Sequence, residues 1–152
     1  MTSPASLAPE LEVSEWIGTP QSLADLRGEV VLVETFQMLC PGCISHGLPM
    51  AKRVYETFRD VRVLGLHTVF EHHEVMGPAA LRVFLSEYRI PFPVGVDRND
   101  GEVVPVTMRT YGLQGTPSTL LIDRAGRLRL SAFGAVDDLL LGARLGMLLA
   151  EG

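Results

Sequence analysis

Cysteine is scarce in this chain: two residues in 152, both inside the segment FQMLCPGCISHG at 36–47. So few exclude a disulfide-built miniature scaffold, and a chain of this length buries a core without covalent or metal staples. Positive charge is also in deficit. Thirteen Lys and Arg against eighteen Asp and Glu leave a net charge of -5 and a pI near 5.3. That argues against a nucleic-acid-binding surface and favours a small molecule or another protein as partner.

Long apolar runs are missing as well. LLLGARLGMLL comes closest, but Arg144 interrupts it and it falls short of the ~18 apolar residues that a membrane span needs. It reads as a terminal amphipathic helix. The opening, MTSPASLAPELEVSEW, has neither the basic nor the apolar region of a secretory signal. The expectation is a cytoplasmic protein without membrane contact, a monomer or weak dimer. In that compartment paired cysteines are more often catalytic or metal-binding than structural.

What is present is a globular composition, 47% hydrophobic and 20% charged with a mean hydropathy of +0.23. No repeat or low-complexity tract divides it, so one domain is expected over 12–152 after an N-terminal extension, 1–11. EVVLVETF (29–36) and DVRVLGLHTV (60–69) are apolar on both faces, the pattern of strands covered on both sides. A helix is expected from Pro41 to Phe58, since proline suits a first helical position. GPAALRVFLSEYR (77–89) has helical spacing. A strand at 92–97, a small helix near 103–110, strands at 118–123 and 128–133 and a helix from about 136 complete the pattern. It predicts an α/β sandwich whose mixed sheet is parallel at the crossovers and antiparallel at the final hairpin.

A helix starting at Pro41 puts Cys40 where unpaired N–H groups and the macrodipole favour negative charge on an attacking sulfur. Cys43, one turn on, is close enough to close a disulfide but faces inward. Such a pair suits attack by one thiol and resolution by the other. Other readings compete. A staple is disfavoured because a disulfide stabilises least when it closes a short loop. A metal clip needs two more ligands than C-x-x-C supplies. Two unrelated buried thiols are the third alternative. Glu34, inside an apolar strand, is costly to bury charged and is a candidate to exchange a proton with Cys43. Equally, its side chain escapes at a sheet edge or pairs with an arginine.

LCPGC after a buried strand, together with YGLQGTPSTLLIDRAGRL and the lead-in SLADLRGEVVLVETF, resembles the thioredoxin-like superfamily. The branch is similar to thiol-disulfide oxidoreductases of the TlpA/ResA type, grouped with AhpC/TSA-like sequences, over about residues 12–150. The resemblance implies a three-layer sandwich with Cys40 as nucleophile, Cys43 as resolving thiol and Pro117 as a cis-proline facing them. It also implies that Thr116 offers backbone hydrogen bonds to an extended substrate, with Leu39, Pro41 and Gly42 beside it. Glu34 falls where thioredoxin has a buried acid.

Three departures bear on this. Leu39 stands where the family usually has Trp, and Gln37 and Met38 replace small or polar residues, which predicts an unusual surface around Cys40. Pro49 lies one residue further from Cys43 than the usual helix-kinking proline. Peroxiredoxins, on the same fold, carry a hydroxyl three residues before the peroxidatic cysteine. Gln37 occupies that position, so a dedicated peroxidase is disfavoured, with slow peroxide reduction and an antioxidant role left as the alternative.

LHTVFEHHEVMG (66–77) gathers His67, Glu71, His72, His73 and Glu74. These are plausible zinc or copper ligands without a recognised spacing, and otherwise a solvated loop or a rim that selects the partner. The overall expectation is a thiol-disulfide oxidoreductase. It serves protein disulfides and dithiols or small thiols, and needs no cofactor beyond a redox-active Cys40–Cys43 disulfide. The alternative is a non-catalytic module in which Cys40, Cys43 and some of His46, His67, His72 and His73 hold a metal.

Overall fold

An unbroken run of buried residues, Val30–Phe36, forms the strand β2 near the centre of the sheet. The structure, a computed structural model, describes residues 6–152. Parallel to β2 lies β3 (Val61–His67), and parallel to β3 lies β4 (Val94–Asp97). On its other side β2 pairs antiparallel with β5 (Ser118–Ile122), which turns back into β6 (Leu128–Phe133). The expected strands and the expected mixture of directions are therefore present. One further strand, β1 (Val13–Ile17), pairs antiparallel with β4 and completes the order β1-β4-β3-β2-β5-β6. Its five residues, VSEWI, lie on an edge and are only partly buried, so they carry no strong apolar signal.

Alternation along β2 sends Val30, Leu32 and Phe36 to one face and Val31 and Val33 to the other. The first face is covered by α1 (Leu48–Thr57), α2 (Pro78–Glu87) and α4 (Asp138–Ala150). The second is covered by α3 (Val106–Tyr111) and the N-terminal segment. This is the expected three-layer sandwich. Residues 1–5 of the expected extension lie outside the described residues, and 6–11 join the fold. Leu7 bridges to Arg127, while Ala8 and Leu11 are buried against Leu23, Leu26 and Tyr111. Among the described residues no helix is long and apolar enough to cross a membrane.

Two buried polar side chains fix the loops at the strand ends. Asp97 ends β4, and its carboxylate accepts hydrogen bonds from the backbone N–H groups of Thr107 (2.8 Å) and Met108 (3.0 Å) and from the Thr68 hydroxyl (2.8 Å). It thereby caps α3, whose own preceding residue is Pro105, and ties it to the chain leaving β3. His67 ends β3. Its Nε2 accepts the N–H of Met38 at 3.1 Å, so the neutral ring carries its proton on Nδ1 and holds the loop that leads to Cys40. Burial lowers the His67 pKa to about 4.

Asp97→Ala strips three buried donors of their acceptor and is expected to cost roughly 2–4 kcal/mol, read as a lower urea midpoint. An unchanged midpoint would refute the capping role. His67 makes a second prediction. Its folded pKa lies below the unfolded value, so its stabilisation is fully present above ~6.5 and lost as pH falls toward about 4. The loss amounts to roughly 3 kcal/mol at most. His67→Gln keeps an acceptor for Met38 and should flatten the fall in urea stability between pH 7 and 4.5. An equally steep fall in the variant would sink this assignment.

Candidate active site

β2 delivers the chain to a short loop, 37–40, and the helix opens at Pro41 as expected. Within that loop the Cys40 N–H donates to Gln37 C=O at 3.1 Å, and the Cys40 carbonyl accepts from Cys43 N–H and Ile44 N–H at 3.1 and 3.2 Å. Cys40 is partly exposed and Cys43 is fully buried; both are free thiols. The Cys40 Sγ donates to the Thr116 carbonyl, 3.5 Å away. Burial, reinforced by the hydrogen bond that the Cys43 thiol donates to Cys40, pushes the Cys43 thiol up to about 12. The exposed sulfur is thus available for attack, and the buried one stays protonated until a base relieves it.

The helix does not run regularly from Pro41 to Phe58. Residues Cys43–Gly47 form a π-helical turn, closed by Leu48 N–H donating to Cys43 C=O, before α1 begins. A π turn accommodates one extra residue, which accounts for the displaced Pro49: it sits in the first turn of α1, where a missing N–H costs little. Gly47 closes that turn against the Thr116–Pro117 peptide, which is cis. A Cβ at Gly47 would lie 2.7 Å from Pro117 Cβ and 2.8 Å from Glu34 Oε2, and one at Gly42 would lie 3.3 Å from Pro117 Cδ. The two glycines therefore let the helix start rest directly on the buried proline ring.

Glu34 does not escape at an edge, and among the described residues it has no ion-pair partner. It lies on the face of β2 shared with Leu32 and Phe36, wholly buried. Its Oε1 accepts the Thr119 hydroxyl at 2.7 Å, while Oε2 has no hydrogen-bond partner among the described residues and ends beneath Gly47, one turn beyond Cys43. Burial raises its pKa well above the usual carboxylate range, against the smaller opposing effect of Thr119. A buried acid with one bare oxygen is suited to holding and releasing a proton.

The expected unusual surface before Cys40 is mostly interior. Gln37 is 1% exposed and Met38 8%, whereas Leu39 is 57% exposed and is the apolar neighbour of the attacking sulfur. Pro41 is exposed, Gly42 and Thr116 are partly exposed and Pro117 is buried. The histidines do not assemble. His67 is committed to Met38, His73 Nε2 lies 2.9 Å from the Val103 carbonyl, and His46 and His72 are exposed. Among the described residues no group of three or more His, Cys, Asp or Glu is placed to hold a metal ion.

Sequence reasoning passed over Gly47, the buried role of Gln37, and Thr119. Gly47 left a signal, since glycine inside a helix costs about 1 kcal/mol relative to alanine and points to a close backbone approach. For Thr119, only the pairing register opposite Glu34 reveals the contact.

The chain is similar to solved proteins over nearly its whole length. It is 55% identical to a thioredoxin-like superfamily protein, SPOA0173, with a TM-score of 0.95, covering 97% of this chain and 99% of that one. It is 53% identical to a thiol-disulfide isomerase from Corynebacterium glutamicum, with a TM-score of 0.92, covering 97% and 98%. The thiol-disulfide oxidoreductase ResA of Bacillus thuringiensis is 25% identical over 121 residues, 80% of this chain and 64% of ResA. Of the DipZ protein of Mycobacterium bovis, 29% identical over 138 residues (86% of this chain), the chain spans only 19%. A model of the AhpC/TSA family matches residues 4–131, and the chain belongs to that family.

Proposed function

We propose that this chain is a thiol-disulfide oxidoreductase that exchanges electrons with disulfides or dithiols of proteins or small thiols through Cys40 and Cys43. The observation that carries the reading is the asymmetry of the pair: an accessible sulfur at the helix start backed by a buried thiol three residues on. The similarity to ResA and to a thiol-disulfide isomerase supports it. No cofactor takes part beyond the Cys40–Cys43 disulfide itself.

The Cys40 thiolate attacks one sulfur of a substrate disulfide; the substrate S–S bond breaks, a substrate thiolate leaves, and a mixed disulfide forms. Cys43 then attacks the Cys40 sulfur of that mixed disulfide. Its proton passes to the Glu34 carboxylate, the second substrate thiolate leaves, and the Cys40/Cys43 dithiol has given two electrons to the substrate and become the Cys40–Cys43 disulfide. Read backwards, the same steps oxidise a substrate dithiol. Burial places the Cys43 thiol high and lifts Glu34 toward it, so the proton moves over a smaller gap than to an exposed carboxylate. Thr116 and Pro117 position an extended substrate, with Leu39, Pro41 and Gly42 at its border. Which direction prevails in the cell is a matter of reduction potential, which Pro41 and Gly42 do not tune by charge.

Gln37 favours exchange over peroxide reduction. It stands three residues before Cys40 with its side-chain oxygen and nitrogen both engaged by neighbours, and offers no hydroxyl.

Insulin-disulfide reduction by dithiothreitol tests the reading: wild type should accelerate it and Cys40→Ser should not, while Cys43→Ser should accumulate a mixed disulfide visible by mass spectrometry. Stoichiometric zinc in the reduced protein, with no acceleration, would overturn it in favour of a metal-binding module. Glu34→Gln should leave formation of the mixed disulfide largely intact and slow its resolution by about tenfold or more at neutral pH. Since a raised carboxyl pKa costs stability once pH climbs past ~4.5, the same variant should be at least as stable as wild type at pH 8. Resolution at the wild-type rate would remove Glu34 from the mechanism.

A further inference from the structure

The buried amide of Gln37 joins three segments at the rim of the site. Its Oε1 accepts the backbone N–H of Phe70 at 3.2 Å, which fixes which way the amide points. That leaves Nε2, which donates to the Thr116 hydroxyl at 3.3 Å and to the Glu71 carboxylate at 3.4 Å. Thr116 is also the residue whose carbonyl receives the Cys40 thiol. One nitrogen thus holds a carboxylate two hydrogen-bond lengths from the segment that lies against the attacking sulfur.

Glu71 is exposed, and among the described residues no cation pairs with it. Its neighbours in sequence make no ion pair with it among the described residues, the adjacent exposed His72 included. Glu74 has the same sign, and the His73 ring is turned to the Val103 carbonyl. A negative charge without an ion-pair partner, tethered through Gln37 to the residue that lies against the nucleophilic sulfur, acts on charged substrates through the Coulomb interaction, attracting cations and repelling anions.

We propose that Glu71, positioned by Gln37, is a specificity-determining residue. It selects disulfides that carry a cationic group next to the reacting sulfurs and disfavours anionic ones. The inference rests on the exchange reading of Cys40 and names the substrate class for that site.

The test compares single-turnover rates of reduced protein with three small disulfides: cystamine, a dication; 5,5′-dithiobis(2-nitrobenzoate), a dianion; and neutral 2-hydroxyethyl disulfide as reference. Glu71→Gln keeps an oxygen to accept from Gln37 and removes only the charge. The ratio of the cystamine rate to the dianion rate should fall by about fivefold in Glu71→Gln at low salt, and the difference from wild type should vanish near ~1 M salt, where screening is nearly complete. Glu87→Gln, an exposed carboxylate at the end of α2, should leave the ratio as in wild type. A ratio that Glu71→Gln moves less than twofold, or that Glu87→Gln moves as much, overturns the selection while leaving exchange standing. Failure of wild type to react with any of the three overturns the exchange reading and the inference with it.

Discussion

The site depends on how closely the backbone at Gly47 approaches the ring of Pro117 and the bare oxygen of Glu34. There is no room for a methyl group between them. That contact seats the start of the helix on Pro117, in a site where Cys43 is sealed and Cys40 remains partly open. It also closes the space over Glu34, which among the described residues has no cation partner, and burial raises the affinity of the carboxyl for a proton. The π turn belongs to the same arrangement. Its additional residue brings Gly47, and not a side chain, onto the proline.

A second layer of contacts makes this packing definite. His67 holds Met38, Gln37 holds Phe70 and Thr116, and Thr119 holds Glu34, each contact a hydrogen bond made by a buried side chain. None of these side chains touches a substrate disulfide in the proposed mechanism. They determine where Cys40 and the carbonyl of Thr116 stand relative to one another, and buried polar groups of this kind are costly to leave unpaired. The result is a site whose outward face is small: Cys40, Leu39, Pro41, Gly42 and Thr116, with the exposed Glu71 tied to Thr116 through Gln37.

The order of strands and helices was legible because β2, β3 and β5 are short, largely apolar segments and the final hairpin is marked by a turn sequence. β1 was not, because an edge strand of five half-buried residues needs no apolar face. The C-P-G-C segment and the Gly-Thr-Pro segment announced themselves locally. The contacts that join them did not, since Gln37 to Thr116 and Thr119 to Glu34 span 79 and 85 residues. Gln37 and Met38 looked like surface because they flank a reactive cysteine. Their inward direction follows from the loop geometry that His67 and Phe70 impose. The histidines, adjacent in sequence, separate because His67 still belongs to a buried strand while His72 and His73 have left it.

A redox titration of the Cys40–Cys43 pair tests the account most directly. Protein equilibrated across glutathione buffers, with thiols counted by alkylation and mass spectrometry, should pass reversibly between dithiol and intramolecular disulfide. The transition should have the two-electron slope of about 30 mV per decade. Accumulation of a stable glutathione adduct on Cys40, or of an irreversibly oxidised sulfur without the intramolecular disulfide, would contradict it.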